Sequence, residues 1–251
     1  MPKELRVYGL DGIPEVRAGD NLVDTITDSL SASGLQLETG DVLVVTHKIV
    51  SKSEGRLVDL TTIEPSALAL DFAERFGKDA RQVEVVLRES VRVVRMERGV
   101  LITETRHGFI CANAGVDASN VPGDTMVSLL PLDPDSSARA LRDGLAARLG
   151  VAPAVIISDS FGRPWRKGIV NIAIGVAGMS PFADYRGLTD PYGYDLRVSV
   201  MAVADELAAT AELLAGKTDA RPVALIRGYE VTPGDGAASE LVMEPERDMF
   251  R

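Results

Sequence analysis

Residues 154–168, Ala154-Val155-Ile156-Ile157-Ser158-Asp159-Ser160-Phe161-Gly162-Arg163-Pro164-Trp165-Arg166-Lys167-Gly168, decide the fold of this chain. The run Ala154 to Ile157 is apolar without interruption and rich in β-branched side chains, so it predicts a strand buried on both faces. It leads straight into Ser158-Asp159-Ser160. A carboxylate at the carboxyl end of a buried strand is a usual place for a functional acid in α/β proteins. The hydroxyl beside it can join the oxygen shell of a hard cation. Arg163, Arg166 and Lys167 then add positive charge that suits a phosphate or carboxylate ligand. A solvated loop would explain the same charges, but the chain's single tryptophan, Trp165, sits among them, which favours function.

Working outward, Val42 to Thr46 is a second continuous apolar run and predicts another buried strand after the turn at Gly40-Asp41. Residues 5–9 and Pro222 to Arg227 read as strands, and Ile169 to Val176 reads as one flanked by glycines. Helical spacing covers the stretch from Gly19-Asp20 to about Ser33, with Asp20 as the expected N-cap. It also covers Pro65 to Phe76, Ala80 to Leu87, the stretch from Pro131 to Leu149, and Val200 to Leu214. Gly77, Gly150 and Gly216 stand where three of these helices should stop. Val91–Val94, Val100–Thr103 and Gly108–Cys111 predict three short antiparallel strands, with Arg98-Gly99 as a turn. The class is mixed α/β or α+β in one domain over 1–251, with a loose tail from about 234.

The chain has 251 residues, 45% hydrophobic and 25% charged, enough apolar material for a full core. Its net charge of −10 argues against a nucleic-acid partner, which a basic stripe would attract. One cysteine, Cys111, excludes an intrachain disulfide and a cysteine-built zinc site, and its apolar strand marks it as a core residue. The charged start and the lack of any run near about 18 apolar residues predict a cytoplasmic protein without a membrane partner.

A second polar cluster, Asn113-Ala114-Gly115-Val116-Asp117-Ala118-Ser119-Asn120, also follows a predicted strand. Small residues there would let a ligand approach the backbone, although a plain turn accounts for the same composition equally well. Gly216-Lys217-Thr218 resembles the tail of a P-loop, but the glycine required five positions earlier is Ala211. The tripeptide also ends a helix where a P-loop must open one, so it is not a P-loop. No Gly-x-Gly-x-x-Gly occurs, and neither His47 nor His107 lies in a nucleophile motif. Asp117 and Asp159 together suggest an oxygen-rich Mg²⁺ or Mn²⁺ site with cationic neighbours for phosphates, the equipment of phosphoryl chemistry. The residues themselves name no substrate.

Several of these stretches, in this order, resemble the coenzyme F420:L-glutamate ligase (gamma-glutamyl ligase) family from about Val7 to Val231. They are Asp11-Gly12-Ile13-Pro14, Gly40 to Thr46, Ser51-Lys52-Ser53-Glu54-Gly55-Arg56, Asn113 to Asn120, Leu132-Asp133-Pro134-Asp135 and Ile157 to Gly168. Asp190-Pro191-Tyr192-Gly193 and Val203-Ala204-Asp205-Glu206 complete the set. The resemblance implies a GTP-driven ligase that joins L-glutamate to the lactyl carboxylate of a deazaflavin coenzyme precursor, then adds a γ-linked glutamate. It implies an acyl-phosphate intermediate, release of GDP and phosphate, two Mg²⁺ or Mn²⁺ ions, and room for K⁺.

Carried over by position, Asp117 and Asp159 are the catalytic metal ligands, and Ser160 holds a second cation. Asp11, Gly12, Ile13, Pro14, Lys52 and Asn120 are GTP contacts, joined by Thr46 and His47, where His47 replaces a serine common in relatives. Gly216 and Lys217 align near the nucleotide. Arg163 and Arg166 are assigned to an anionic substrate group on charge alone. The resemblance further implies two interlocked subdomains in an intertwined homodimer, with the single-domain form expected, without the nitroreductase-like domain that some relatives carry. Another phosphoryl-transfer ligase on the same scaffold, or a non-catalytic deazaflavin or nucleotide carrier, are the competing readings. An intact acidic pair argues against a carrier.

Overall fold

A computed structural model describes residues 3–249. In chain order the elements are β1 (Arg6–Gly9), α1 (Leu22–Ala32), β2 (Val42–Thr46), α2 (His47–Ser53) and β3 (Leu57–Asp59). Then come α3 (Ala67–Phe76), α4 (Ala80–Arg88), β4 (Ser90–Glu97), β5 (Val100–Thr105), β6 (Ile110–Ala112) and β7 (Met126–Ser128). The remainder is α5 (Pro134–Leu149), β8 (Ala154–Arg163), β9 (Arg166–Ala177), β10 (Ala183–Asp184), β11 (Val200–Met201), α6 (Val203–Ala215) and β12 (Val223–Arg227). The mixed α/β class expected from the sequence is what the chain forms.

The main sheet has the order β1-β12-β2-β8-β9. Only β2 and β8 run parallel; the other neighbours are antiparallel. Side chains alternate across a strand, so each central strand serves two cores. Leu43, Val45, Val155 and Ile157 face one side and pack with Ile26 of α1 and Leu145 of α5. Val42, Val44, Ala154 and Ile156 face the other and pack with Leu207, Ala208 and Ala211 of α6. Burial on both faces is why these strands are apolar without alternation. A third cluster, with Phe72, Val83, Leu101 and Val127, sits under α3, α4 and the β4-β5-β6 sheet.

Local chemistry sets several boundaries differently from expectation. Asn21, not Asp20, caps α1, accepting from Val23 N at 3.0 Å. Asp20 is already engaged one turn earlier, accepting from Arg17 N at 2.7 Å. Val200 and Met201 pair with Asp184 and Ala183 rather than opening a helix, so α6 starts at Val203. The polar stretch after Ile157 is not a loop, because β8 continues to Arg163 and forms a long hairpin with β9. The stretch expected to be loose after 234 contains a 3-10 turn, Ala238–Leu241, with Ala238 fully buried. The predicted turn at Arg98-Gly99 does form, with φ of 53° and 75°, the positive pair that suits a tight hairpin.

α5 docks on β9 through an unusually close approach. Asp135, in its first turn, accepts from Val176 N and Ala238 N, both at 2.8 Å. Gly175 lies directly beneath, where an added Cβ would meet the Pro134 carbonyl oxygen at 2.4 Å. Gly162, in the same hairpin, has open space around it. Gly175→Ala should therefore destabilise the fold by about 1–3 kcal/mol in urea unfolding, the usual cost of overpacking. Gly162→Ala should stay within about 0.5 kcal/mol. Equal effects at the two positions would show that the α5–β9 approach is not close-packed.

Candidate functional site

The parallel register of β2 and β8 sets Thr46, where β2 ends, opposite Ser158, beyond which β8 continues with only β9 as its neighbour. In α/β sheets ligands gather outside the carboxyl ends of parallel strands. From Thr46 the chain turns at once into α2, with the Thr46 hydroxyl accepting from Lys48 N at 3.2 Å. His47 is buried, its Nδ1 3.2 Å from Ser51 Oγ. Its Nε2 lies 3.3 Å from Asp159 Oδ1 but without hydrogen-bond geometry. Asp159 Oδ1 also accepts from Ser160 N at 2.7 Å, so both contacts use one oxygen and Oδ2 is available to a ligand.

Asp117 reaches the same place from a different sheet. Asn113, Ala114 and Gly115 all have positive φ, which turns the chain sharply after β6. Asp117 is then pinned to Ser128 by two backbone hydrogen bonds of 2.8 and 3.1 Å. Its Oδ2 accepts from Lys48 Nζ at 2.5 Å and Ser119 Oγ at 2.8 Å, and its Oδ1 from Ser119 N at 2.8 Å. Partial burial works against the charged form, but Lys48 and Ser119 outweigh it and hold the carboxyl below its usual range.

One cavity of about 1130 Å³ connects these groups. Single-ligand pockets span about 300–1,000 Å³, so there is room for more than one substrate. Of the residues expected at the nucleotide, Ile13, Pro14, Thr46, His47, Lys52 and Asn120 line it. Asp117, Asp159, Ser160, Gly216 and Lys217 also line it. Asp11 and Gly12 do not line it; Asp11 accepts instead from Arg221 Nε at 2.7 Å, and Arg221 does face the cavity. Arg163 and Arg166 pair with each other at the tip of the β8–β9 hairpin, away from the lining. Arg163 Nη2 donates to the Lys167 carbonyl at 3.0 Å.

Ser160, expected beside a cation, is held by the protein itself. Its hydroxyl donates to Asn171 Oδ1 at 2.6 Å and accepts from Lys217 Nζ at 2.6 Å. Gly216 caps α6 with φ of 62°, so Gly216-Lys217-Thr218 follows a helix end, as the rejection of a P-loop required. Cys111 is buried, and burial followed by the charge of Asp159 pushes its thiol up to about 12, which removes it as a nucleophile.

The sequence left four charged lining residues unassigned: Lys48, Glu15, Glu212 and Arg221. Lys48 was hidden because α2 was not foreseen, although Lys48 and Lys52 stand four apart and so share a helix face. Lys52, itself buried, is paired with Glu15 Oε1 at 2.5 Å. Among the described residues no cluster of three or more His, Cys, Asp and Glu side chains could cage a metal. Two carboxylates with room beside them instead fit a cation that keeps waters and takes substrate phosphates as ligands, as Mg²⁺ does. No helix among the described residues is long and apolar enough to cross a membrane.

The model of the F420-0:gamma-glutamyl ligase family matches residues 12–228. A coenzyme F420:L-glutamate ligase of Methanothermobacter thermautotrophicus is 45% identical over 98% of this chain and 99% of its own. One from Methanopyrus kandleri is 46% identical over 94% of both chains, and one from Methanocaldococcus jannaschii 39% over 99% and 98%. With the cavity, the acidic pair and near end-to-end similarity in agreement, this chain belongs to the F420-0:gamma-glutamyl ligase family.

Proposed function

We propose that the chain is a GTP-dependent ligase that joins L-glutamate to the lactyl carboxylate of the coenzyme F420 precursor and then adds a γ-linked glutamate. The observation that carries this reading is the convergence of Lys48, Lys52, Asp117 and Asp159 on one cavity where β2 ends beside Ser158 of β8. An amide does not form unaided from a carboxylate and an amine in water. Moving the γ-phosphoryl group from GTP to the lactyl carboxylate gives an acyl phosphate and GDP. The glutamate amine then attacks the acyl carbon, the amide forms, and phosphate leaves. Such chemistry asks the protein mainly for positioning and neutralisation of charge.

Each residue has a part in this reading. Asp117 and Asp159 hold a Mg²⁺ or Mn²⁺ ion, which when bound would offset the charge of the transferring phosphoryl group. Lys52, on the Ile13–Pro14 side, and Lys217 hold GTP phosphates, and Asn120 and Thr46 orient the nucleotide. Buried His47 lies beside Asp159 and the nucleotide. Lys48 neutralises Asp117 before the ligands arrive and can turn to a phosphate once they do. Arg163 and Arg166, at the hairpin tip outside the cavity lining, meet an anionic group of the precursor that extends beyond the cavity. A homodimer belongs to the same reading, supported by the exposed Tyr192, Tyr194 and Val198 between β10 and β11. A sedimentation mass of a single chain would remove it.

The direct test is the mass of the product after incubation with the deazaflavin precursor, glutamate, GTP and Mn²⁺. A gain of one or more glutamyl units that requires GTP is expected; no gain with either the saturated or the dehydro precursor would overturn the proposal. In the same assay Asp159→Asn should keep the fold yet lose about 100-fold or more in turnover, at or beyond the loss typical of a disturbed metal site. Near wild-type turnover at saturating Mn²⁺ would refute the metal role.

A further inference from the structure

The resemblance assigns a second divalent ion to Ser160, and the side chains around that hydroxyl do not fit one. Ser160 on β8 faces Asn171 on β9 in the hairpin register. Its only proton goes to Asn171 Oδ1 at 2.6 Å. Asn171 Nδ2 in turn donates to Glu212 Oε2 at 2.8 Å, and Asn171 is buried, so this arm is fixed. Lys217 Nζ closes the ring, 2.6 Å from Ser160 Oγ and 2.8 Å from Glu212 Oε1. All four side chains line the main cavity.

A hydroxyl has one proton and two lone pairs, and here the proton and one lone pair are in use. A divalent ion on the remaining lone pair, at about 2.0–2.1 Å, would stand within about 5 Å of the Lys217 ammonium. That is well inside a screening length of about 8 Å. Glu212 supplies the only negative charge of the ring, and Lys217 already neutralises it. The Asp117 and Asp159 pair differs. Two carboxylates bring two full charges and about four acceptor sites each, so one lysine on Asp117 leaves capacity for a cation.

We propose that Lys217 is a built-in cation standing where the resemblance would put a second divalent ion. The site then takes one divalent ion, at Asp117 and Asp159, and Lys217 supplies the second positive charge to the nucleotide phosphates. The inference rests on the GTP reading above. It makes the second charge part of the chain, independent of metal concentration, and held in place by Glu212 and Ser160.

The test is the number of Mn²⁺ ions bound per chain in the presence of saturating GDP, read from the paramagnetic resonance of free Mn²⁺. One ion is expected for the unaltered chain and for Lys217→Arg, which keeps the charge. Two are expected for Lys217→Met, where the oxygens of Glu212, Ser160 and Asn171 lose their ammonium. Two ions in the unaltered chain would overturn the proposal. One ion in Lys217→Met would show that Lys217 does not replace anything. No bound ion in any of the three would overturn the GTP-and-metal reading beneath it.

Discussion

The parallel pairing of β2 with β8 is the constraint from which the rest of the site follows. It is the one parallel contact in the main sheet, and it sets the end of β2, Thr46, opposite Ser158 within β8. A slip of one residue would turn every side chain of a strand to its other face. Here that would exchange the α5-side and α6-side cores, since Leu43 and Val45 serve one and Val42 and Val44 the other. The hydrophobic cores therefore fix the register, and the register places His47, at the start of α2, beside Asp159 of β8, with Lys48 next to it on Asp117. Arg227 strengthens the frame from the neighbouring strand, pairing with buried Asp41 at 2.7 Å just before β2.

Charge within the cavity is balanced before any ligand enters. Lys48 meets Asp117, Lys52 meets Glu15, Arg221 meets Asp11, and Lys217 meets Glu212. Four cations facing phosphate-sized space in a chain of net charge −10 resolve the apparent conflict between an acidic protein and a phosphorylated substrate. Each pair can exchange its carboxylate for a phosphate at small electrostatic cost. Asp159 is the exception, because its neighbour is a buried histidine rather than a lysine, which leaves it the better anchor for a cation.

Much of this was legible in the sequence, and the failures have physical causes. The continuous apolar runs at 42–46 and 154–157 announced strands buried on both faces, and glycines at 77 and 150 marked helix ends that the chain adopts with positive φ. The two polar clusters meet in part: Asp117, Ser119 and Asn120 share the cavity with Ser158, Asp159 and Ser160, while 161–168 lie outside its lining. Helix α2 was missed because its seven residues, His47–Ser53, are too short to display a period. The extension of β8 to Arg163 was missed because its partner β9 carries the pairing, and polar residues on a hairpin look like loop residues when the partner is unseen. Glu15, Glu212 and Arg221 belong to no motif. They are functional candidates only because folding brings them to the cavity, which no spacing along the chain could show.

The central claim is that the lysines and the acidic pair serve one nucleotide and one cation together, and binding linkage tests it most directly. GTP affinity of the unaltered chain, measured by calorimetry without the deazaflavin precursor, should rise by about 5–150-fold when Mn²⁺ is added, the usual span of coupled binding. Equal affinity with and without Mn²⁺ would contradict the account, because nucleotide and cation would then occupy independent sites.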